Sequence, residues 1–214
     1  RDPNRVALDL EGLDFVGLHE VRCIGFDGTG SQAEMLGERL GMGWLFAPAE
    51  SQWYGCKQFG NGVLTRLPIT RWQRMPLPLK DDYSFRNMLL VEVRAGGRTI
   101  RVLVAHVNQR EPVDRRIQLD CVLGMFLSLK EPAILVGDLN TLGDDPAMEK
   151  MLGVPGVVNP VGEMLSAEES NMIDWILVRG LGVVDAGVRN SGASDHPMVW
   201  AELEVVTESG LDGL

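Results

Sequence analysis

Apolar and polar positions along this chain fall into short blocks whose period changes repeatedly, and the changes outline the elements. Val6, Ala7, Leu10 and Leu13 recur at near-helical spacing behind Asp2-Pro3, an N-cap with proline at the first helical position, and predict an opening helix. Phe15 to Leu18 predicts a strand that runs out at His19-Glu20. Ser31-Gln32-Ala33-Glu34 is a capping box; Met35, Leu36 and Leu40 follow as an inward face, and Gly41 stops this second helix. Trp44 to Ala47 predicts a strand, and Glu50 to Gly60, carrying Trp53, Tyr54 and Lys57, predicts a loop. From Gly62 to His106 every signal is extended: Val63 to Thr65, Ile69 to Leu77 broken by prolines, Met88 to Val93, and Thr99 to Val104. Gly96-Gly97 joins the last two as a hairpin. Pro112 opens the longest helix, to Leu129, with Val113, Ile117, Cys121 and Met125 or Phe126 as its expected buried stripe. Ile134 to Val136 predicts a buried strand, Asp145-Pro146 starts a short helix ended by Gly153, and Met172 to Val178, Gly182 to Val188 and Pro197 to Val205 are extended.

Strands outnumber helices and short turns join neighbours, so the pattern predicts mainly antiparallel sheet with helices on the outer faces. Runs such as 100–105 and 134–136 are apolar on both faces, which two sheets stacked as a sandwich would bury. Trp44, Trp72 and Trp200 are expected in the core. At 214 residues and 45% hydrophobic content, with no linker, repeat or low-complexity tract, residues 1–214 are read as one domain and a monomer.

Charge and cysteine change this picture modestly. Thirty acidic against twenty basic residues give a net charge of −10, which weakens the case for tight non-specific nucleic-acid binding but leaves room for a local phosphate site. Three cysteines without paired spacing indicate neither a disulfide framework nor a zinc cluster, and a reducing, cytoplasmic setting fits best. No apolar run approaches the length of a membrane span. The sequence starts at Arg1 without Met, which leaves export open.

Several predicted strands end in polar chemistry. Ile134, Val136, Asp138 and Asn140 share one face of a strand by alternation, while Leu135 and Leu139 share the other. The 15–18 run leads to His19-Glu20, the 100–105 run leads to His106, and Ser194-Asp195-His196-Pro197 opens the last strand. An antiparallel last strand would put all four clusters on one rim. Each residue alone has a structural explanation: Glu20 as a loop start, Asp138 and Asn140 as an Asx turn. Asp174, between Ile173 and Trp175, is harder to dismiss, since an acid within an apolar strand is costly unless paired or coordinated. Independent loops have no reason to assemble this set together. Its oxygens suit Mg²⁺ or Mn²⁺, its histidines suit acid–base work, and the combination suits hydrolysis of a phosphate ester by activated water.

The order Leu18-His19-Glu20-Val21, Gly60-Asn61-Gly62-Val63-Leu64-Thr65-Arg66-Leu67-Pro68-Ile69, Ala105-His106-Val107-Asn108, Gly137-Asp138-Leu139-Asn140, Ile173-Asp174-Trp175-Ile176 and Ser194-Asp195-His196-Pro197 resembles the endonuclease/exonuclease/phosphatase (DNase I-like) superfamily. The resemblance implies an α/β/β/α sandwich of four layers and divalent-metal phosphoesterase activity. Carried over residue by residue, Glu20 is a metal ligand and Asp195 sits at the metal. Asp138 orients or deprotonates the attacking water, Asn140 bonds a phosphoryl oxygen, and His106 stabilises the phosphate or helps the leaving group. His196 is the general base or a transition-state donor, oriented by Asp174. Two departures stand out. The family's opening strand, with an Asn that helps hold the metal, has no counterpart here, because Asn4 lies too close to Glu20 on a predicted helix. His19 replaces a usual Gln, and alternation puts it on the face opposite Glu20, so it is read as structural.

Arg66, Asn108 and Arg110, with Arg115 and Arg116 at a helix start, are candidate phosphate-facing groups. Trp53 and Tyr54 are candidates for stacking a base. Three substrate classes stay open: nucleic acid, a phospholipid and a sugar phosphate. A catalytically inactive binding module is the reading from another class.

Overall fold

The computed structural model describes residues 3–23, 30–49, 59–80, 85–162 and 172–205, and Trp53 and Tyr54 lie outside them. The elements are α1 (Pro3–Asp9), β1 (Phe15–Arg22), α2 (Gln32–Leu40), β2 (Gly43–Pro48), β3 (Phe59–Thr65), β4 (Ile69–Pro76), β5 (Asn87–Ala95), β6 (Arg98–His106), α3 (Pro112–Ser128), β7 (Ala133–Asp138), α4 (Pro146–Leu152), β8 (Asp174–Arg179), β9 (Gly182–Arg189) and β10 (Met198–Glu204). The caps read from sequence form: Ser31 accepts from the Glu34 N–H and Asp145 from the Ala147 N–H, and Gly41 closes α2 in the left-handed region.

The strands pair as a five-stranded ladder in the order β4-β5-β6-β7-β8, a three-stranded one, β1-β3-β2, and the hairpin β9-β10. All pairings are antiparallel except β6 with β7, which α3 connects as a crossover. Alternation divides the core into layers. Leu103, Ala105, Leu135 and Leu177 pack under α3 and α4 with Leu119, Phe126 and Met148. From the other face of the same strands, Val102, Val104 and Val178 meet Val63, Ala186, Val199 and Leu203 of the smaller ladders. Val16, Val21 and Leu64 then meet Ala7 of α1 with Ala33 and Leu36 of α2. The result is the α/β/β/α sandwich, with its second β layer built of two ladders. At Gly17 the layers come so close that a Cβ would lie 2.7 Å from Val136 Cγ2.

The stripe expected on α3 is corrected. Its C-terminal half holds, since Phe126 is buried and Cys121 and Met125 pack against the core, but Val113 and Ile117 are 41% and 38% exposed, and the buried face carries Asp114, Gln118, Leu119, Val122, Leu123 and Phe126. Two polar residues one turn apart occupy that face because they serve backbone groups. Asp114 accepts from the Lys80 N–H at 2.7 Å; Gln118 accepts from the Asn108 N–H and donates to the Pro78 carbonyl. Trp44 and Trp72 are also exposed, contrary to expectation, since they sit on the edge strands β2 and β4. Among the described tryptophans Trp175 is the buried one, its indole N–H donating to the Thr141 carbonyl at 2.9 Å.

Candidate active site

Strand register builds the site. His106 pairs with Asp138 across the parallel β6–β7 junction, and Asp138 pairs with Asp174 across antiparallel β7–β8, so the three form one rung at the end of the five-stranded ladder. They lie in phase with Val104, Val136 and Ile176, and so on the face turned toward the smaller ladders. His196, just before β10, completes the group: its Nδ1 lies 2.7 Å from Asp174 Oδ2. Ligand-type atoms of Asp138, Asp174 and His196 all fall within 4.8 Å of one another.

The Asx turn at Asp138 is real, and it belongs to the site. Asp138 Oδ1 accepts from the Asn140 N–H at 3.0 Å, with Asn140 at φ 47°. The Asn140 amide donates one hydrogen to the Val107 carbonyl at 2.9 Å, which fixes its orientation and leaves its second N–H for a ligand. Glu20 is the other non-glycine residue of positive φ among the described residues, at 54°.

Burial pushes the Asp138 carboxyl above its ordinary range, reinforced by the charge of Asp174 and offset in part by the Asn140 N–H. Asp174 is raised by burial too, against the pull of its hydrogen bond to His196. For His196 burial favours the neutral form, but the hydrogen bond to Asp174 and the charges of Asp174, Asp138 and Asp195 outweigh it and raise the pKa. Burial holds His106 well below the usual histidine value, helped by the neighbouring His19, Arg86 and His196. Two like charges kept close in a buried place are what a cation would relieve, so the donor set fits a divalent metal.

Not every candidate gathers here. Glu20 is exposed at an irregularity of β1, Asp195 is exposed beside His196, and neither is in the close group of three. Asp195 still reaches His196 and Asp174 through its charge. Arg66 is displaced from the site: it follows Thr65, which pairs with Phe15, so it lies at the end of β1 opposite Glu20. Asn108 does not face outward. It is fully buried, and its Oδ1 accepts from the Arg110 and Glu111 N–H groups, shaping the loop after β6. Arg110 is exposed on that loop, while Arg116 pairs with Asp120 and Asp145 along the helix side.

His19, read as structural from alternation, lies beside the candidate site. Alternation put it away from Glu20, but the β1–β3 register shifts between Leu18 and Val21 and Glu20 has positive φ, so alternation fails at that point. His19 lies edge-on to His106, with ring centroids 5.8 Å apart, and Nδ1 is 3.1 Å from Asn61 Oδ1. Sequence reasoning missed Asn61 and its partner Asn87. The available signal was an asparagine between two glycines at the head of an apolar strand: at Gly60 a Cβ would meet the Ala47 carbonyl oxygen at 2.0 Å.

Two stacked β layers between helices, with acids and histidines at one rim, define the class: DNase I-like sandwich proteins. The chain belongs to the Endonuclease/Exonuclease/phosphatase family, whose model matches residues 4–196. No curated protein matches it by sequence. Solved structures share the fold. One is an endonuclease/exonuclease/phosphatase from Bacteroides vulgatus (16% identity, 95% of this chain and 90% of that one, TM-score 0.73). Another is a mannosyl-6-phosphatase from Bacteroides thetaiotaomicron (17%, 94% and 89%, 0.68). A third is TDP2 of D. rerio in complex with a single-strand DNA product (20%, 94% and 89%, 0.66).

Proposed function

We propose that this protein is a divalent-metal-dependent hydrolase of phosphate esters, of phosphodiesterase or nuclease type. The observation that carries the reading is the rung His106–Asp138–Asp174 with His196 bonded to Asp174 at 2.7 Å. Asp138 and Asp174 would hold Mg²⁺ or Mn²⁺, with Glu20 and Asp195 as the further carboxylates of the rim. When bound, the cation supplies charge against the phosphoryl oxygens.

The chain's own groups do the rest. Asp138 orients the attacking water. Asn140 donates its second amide hydrogen to a phosphoryl oxygen. His196, held by Asp174 and charged in a larger share of molecules by the acids around it, donates to the same phosphoryl group as negative charge grows. His106, kept neutral by burial, faces the phosphate or the leaving oxygen. Water oxygen bonds to phosphorus as one of its protons passes to solvent, the ester P–O bond breaks, and the departing oxygen takes up a proton from solvent in turn.

Proteins of the same fold include both a mannosyl-6-phosphatase and a protein bound to a single-strand DNA product, which supports the reaction class and leaves the substrate open. The charge of −10 favours a small or locally contacted phosphate ester over a long duplex. The protein is expected to act in a reducing compartment; no helix among the described residues is long and apolar enough to cross a membrane. Incubation with plasmid, single-stranded oligonucleotide, sphingomyelin and inositol phosphates under Mg²⁺ or Mn²⁺ chooses among substrates. On the preferred one, Asp138→Asn and His196→Ala are each expected to lower kcat by roughly 10²–10⁴-fold while both variants stay folded. Wild-type rates in either variant would refute the assignment, and a wild-type protein inert on the whole panel would favour a binding module.

A further inference from the structure

All three histidines of the chain converge on this rim, yet His106 lacks the hydrogen bond that ordinarily fixes an imidazole. Its Nδ1 is buried with no hydrogen-bond partner among the described residues, and its Nε2 stands 3.5 Å from Asp138 Oδ2, too far for a strong bond. The His19 ring lies against it in an edge-type arrangement, at an interplanar angle of 63°.

His19, unlike His106, is firmly anchored, and its tautomer follows from backbone carbonyls alone. Asn87 Nδ2 lies 2.9 Å from the carbonyl oxygens of both Ala47 and Pro48, which only accept, so that atom is nitrogen and Asn87 Oδ1 is an acceptor. The Asn61 atom facing Asn87 Oδ1 at 2.7 Å and the Asn87 carbonyl at 2.8 Å must then be the amide nitrogen. Asn61 Oδ1 is therefore an acceptor, and His19 must donate to it from Nδ1. The chain of amides starts on β2, crosses β5 and β3, and ends on an imidazole with one defined proton.

We propose that His19 is a positioning residue for His106: clamped by Asn61 and Asn87, its ring edge sets the plane of His106 beside Asp138. The inference rests on His106 being a group of the proposed site, but its first test needs no turnover. With three histidines, long-range ¹H–¹⁵N correlation on the labelled full chain at neutral pH resolves each ring. Wild type is expected to show His19 protonated at Nδ1 and His106 in a single tautomer. His19→Gln keeps a donor for Asn61 and loses the ring; it should shift the His106 resonances toward a mixture of tautomers and lower kcat by roughly ten- to a hundredfold, with KM changed less. His19→Phe keeps a ring but gives Asn61 no donor, so it should restore the His106 signals and kcat only in part. The proposal is overturned if wild-type His19 carries its proton on Nε2, if His19→Gln leaves the His106 signals unmoved, or if His19→Phe disturbs them as much as Gln does. Absence of phosphate-ester hydrolysis in every form would refute the functional reading and leave these resonances to decide the positioning role separately.

Discussion

Each residue of the rim is set by its neighbours more than by its type. Three histidines sit within one cluster and titrate in different directions: burial lowers His106 and His19, while Asp174 and the other acids raise His196. The sign of the consequence for stability differs accordingly. A histidine free in the unfolded chain has a pKa near ~6.5, so below that pH the unfolded state takes up a proton that folded His106 refuses. Its contribution is therefore present above that pH and lost as pH falls below it. His196 runs the other way, contributing below its unfolded pKa and losing that contribution as pH rises through its raised folded value. Comparing wild type with His106→Gln isolates the first effect: between pH 7.5 and 5.5 the unfolding free energy of wild type should fall more steeply, by up to ~1.4 kcal/mol per pH unit. Parallel urea-derived profiles would show that His106 is not buried in its neutral form.

At the scale of elements, the caps, the glycine turns and the apolar runs agree with one another, which is why nearly every element was legible in advance. Helix N-caps at Ser31 and Asp145 and the Gly96-Gly97 hairpin are local chemistry, and local chemistry survives into the fold. Two failures at this scale share a cause. The stripe on α3 was misread because Asp114 and Gln118 are buried for the backbone groups of distant loops, and Trp44 and Trp72 were misplaced because edge position depends on strand order. The close approach at Gly17 also belongs here. A methyl group there would press on Val136 between the two β layers, so Gly17→Ala is expected to cost about 1–3 kcal/mol, read as a lower urea midpoint with an unchanged m-value. No loss would mean that the layers yield at this point.

For the whole molecule, the layered order brings His19 and Glu20 of β1, His106 of β6, Asp138 of β7, Asp174 of β8 and His196 before β10 to one end of the sandwich. Asp138 and Asp174 repel each other in the folded chain, and a cation bound there would stabilise the folded form by mass action. Mg²⁺ or Mn²⁺ at about a hundred times its dissociation constant should add ~2.7 kcal/mol, a rise in Tm of roughly 5–10 °C for a domain of this size, and a chelator should reverse it. Asp138→Asn with Asp174→Asn should abolish the shift; an equal shift in that double variant would place the cation elsewhere.

Sequence alone determined the elements and the family resemblance, and it offered His106, Asp138, Asn140, Asp174 and His196 as one candidate set, because caps, turns and period are local properties and the motifs lie at strand ends. Only the tertiary structure decided which of them meet. Register put His106, Asp138 and Asp174 on one rung, and strand order carried Arg66 to the far end of β1. An irregularity in β1, where the two-residue period breaks at Glu20, turned His19 toward the site. Periodicity describes a strand while it stays regular, and here the irregular position is the one beside the chemistry.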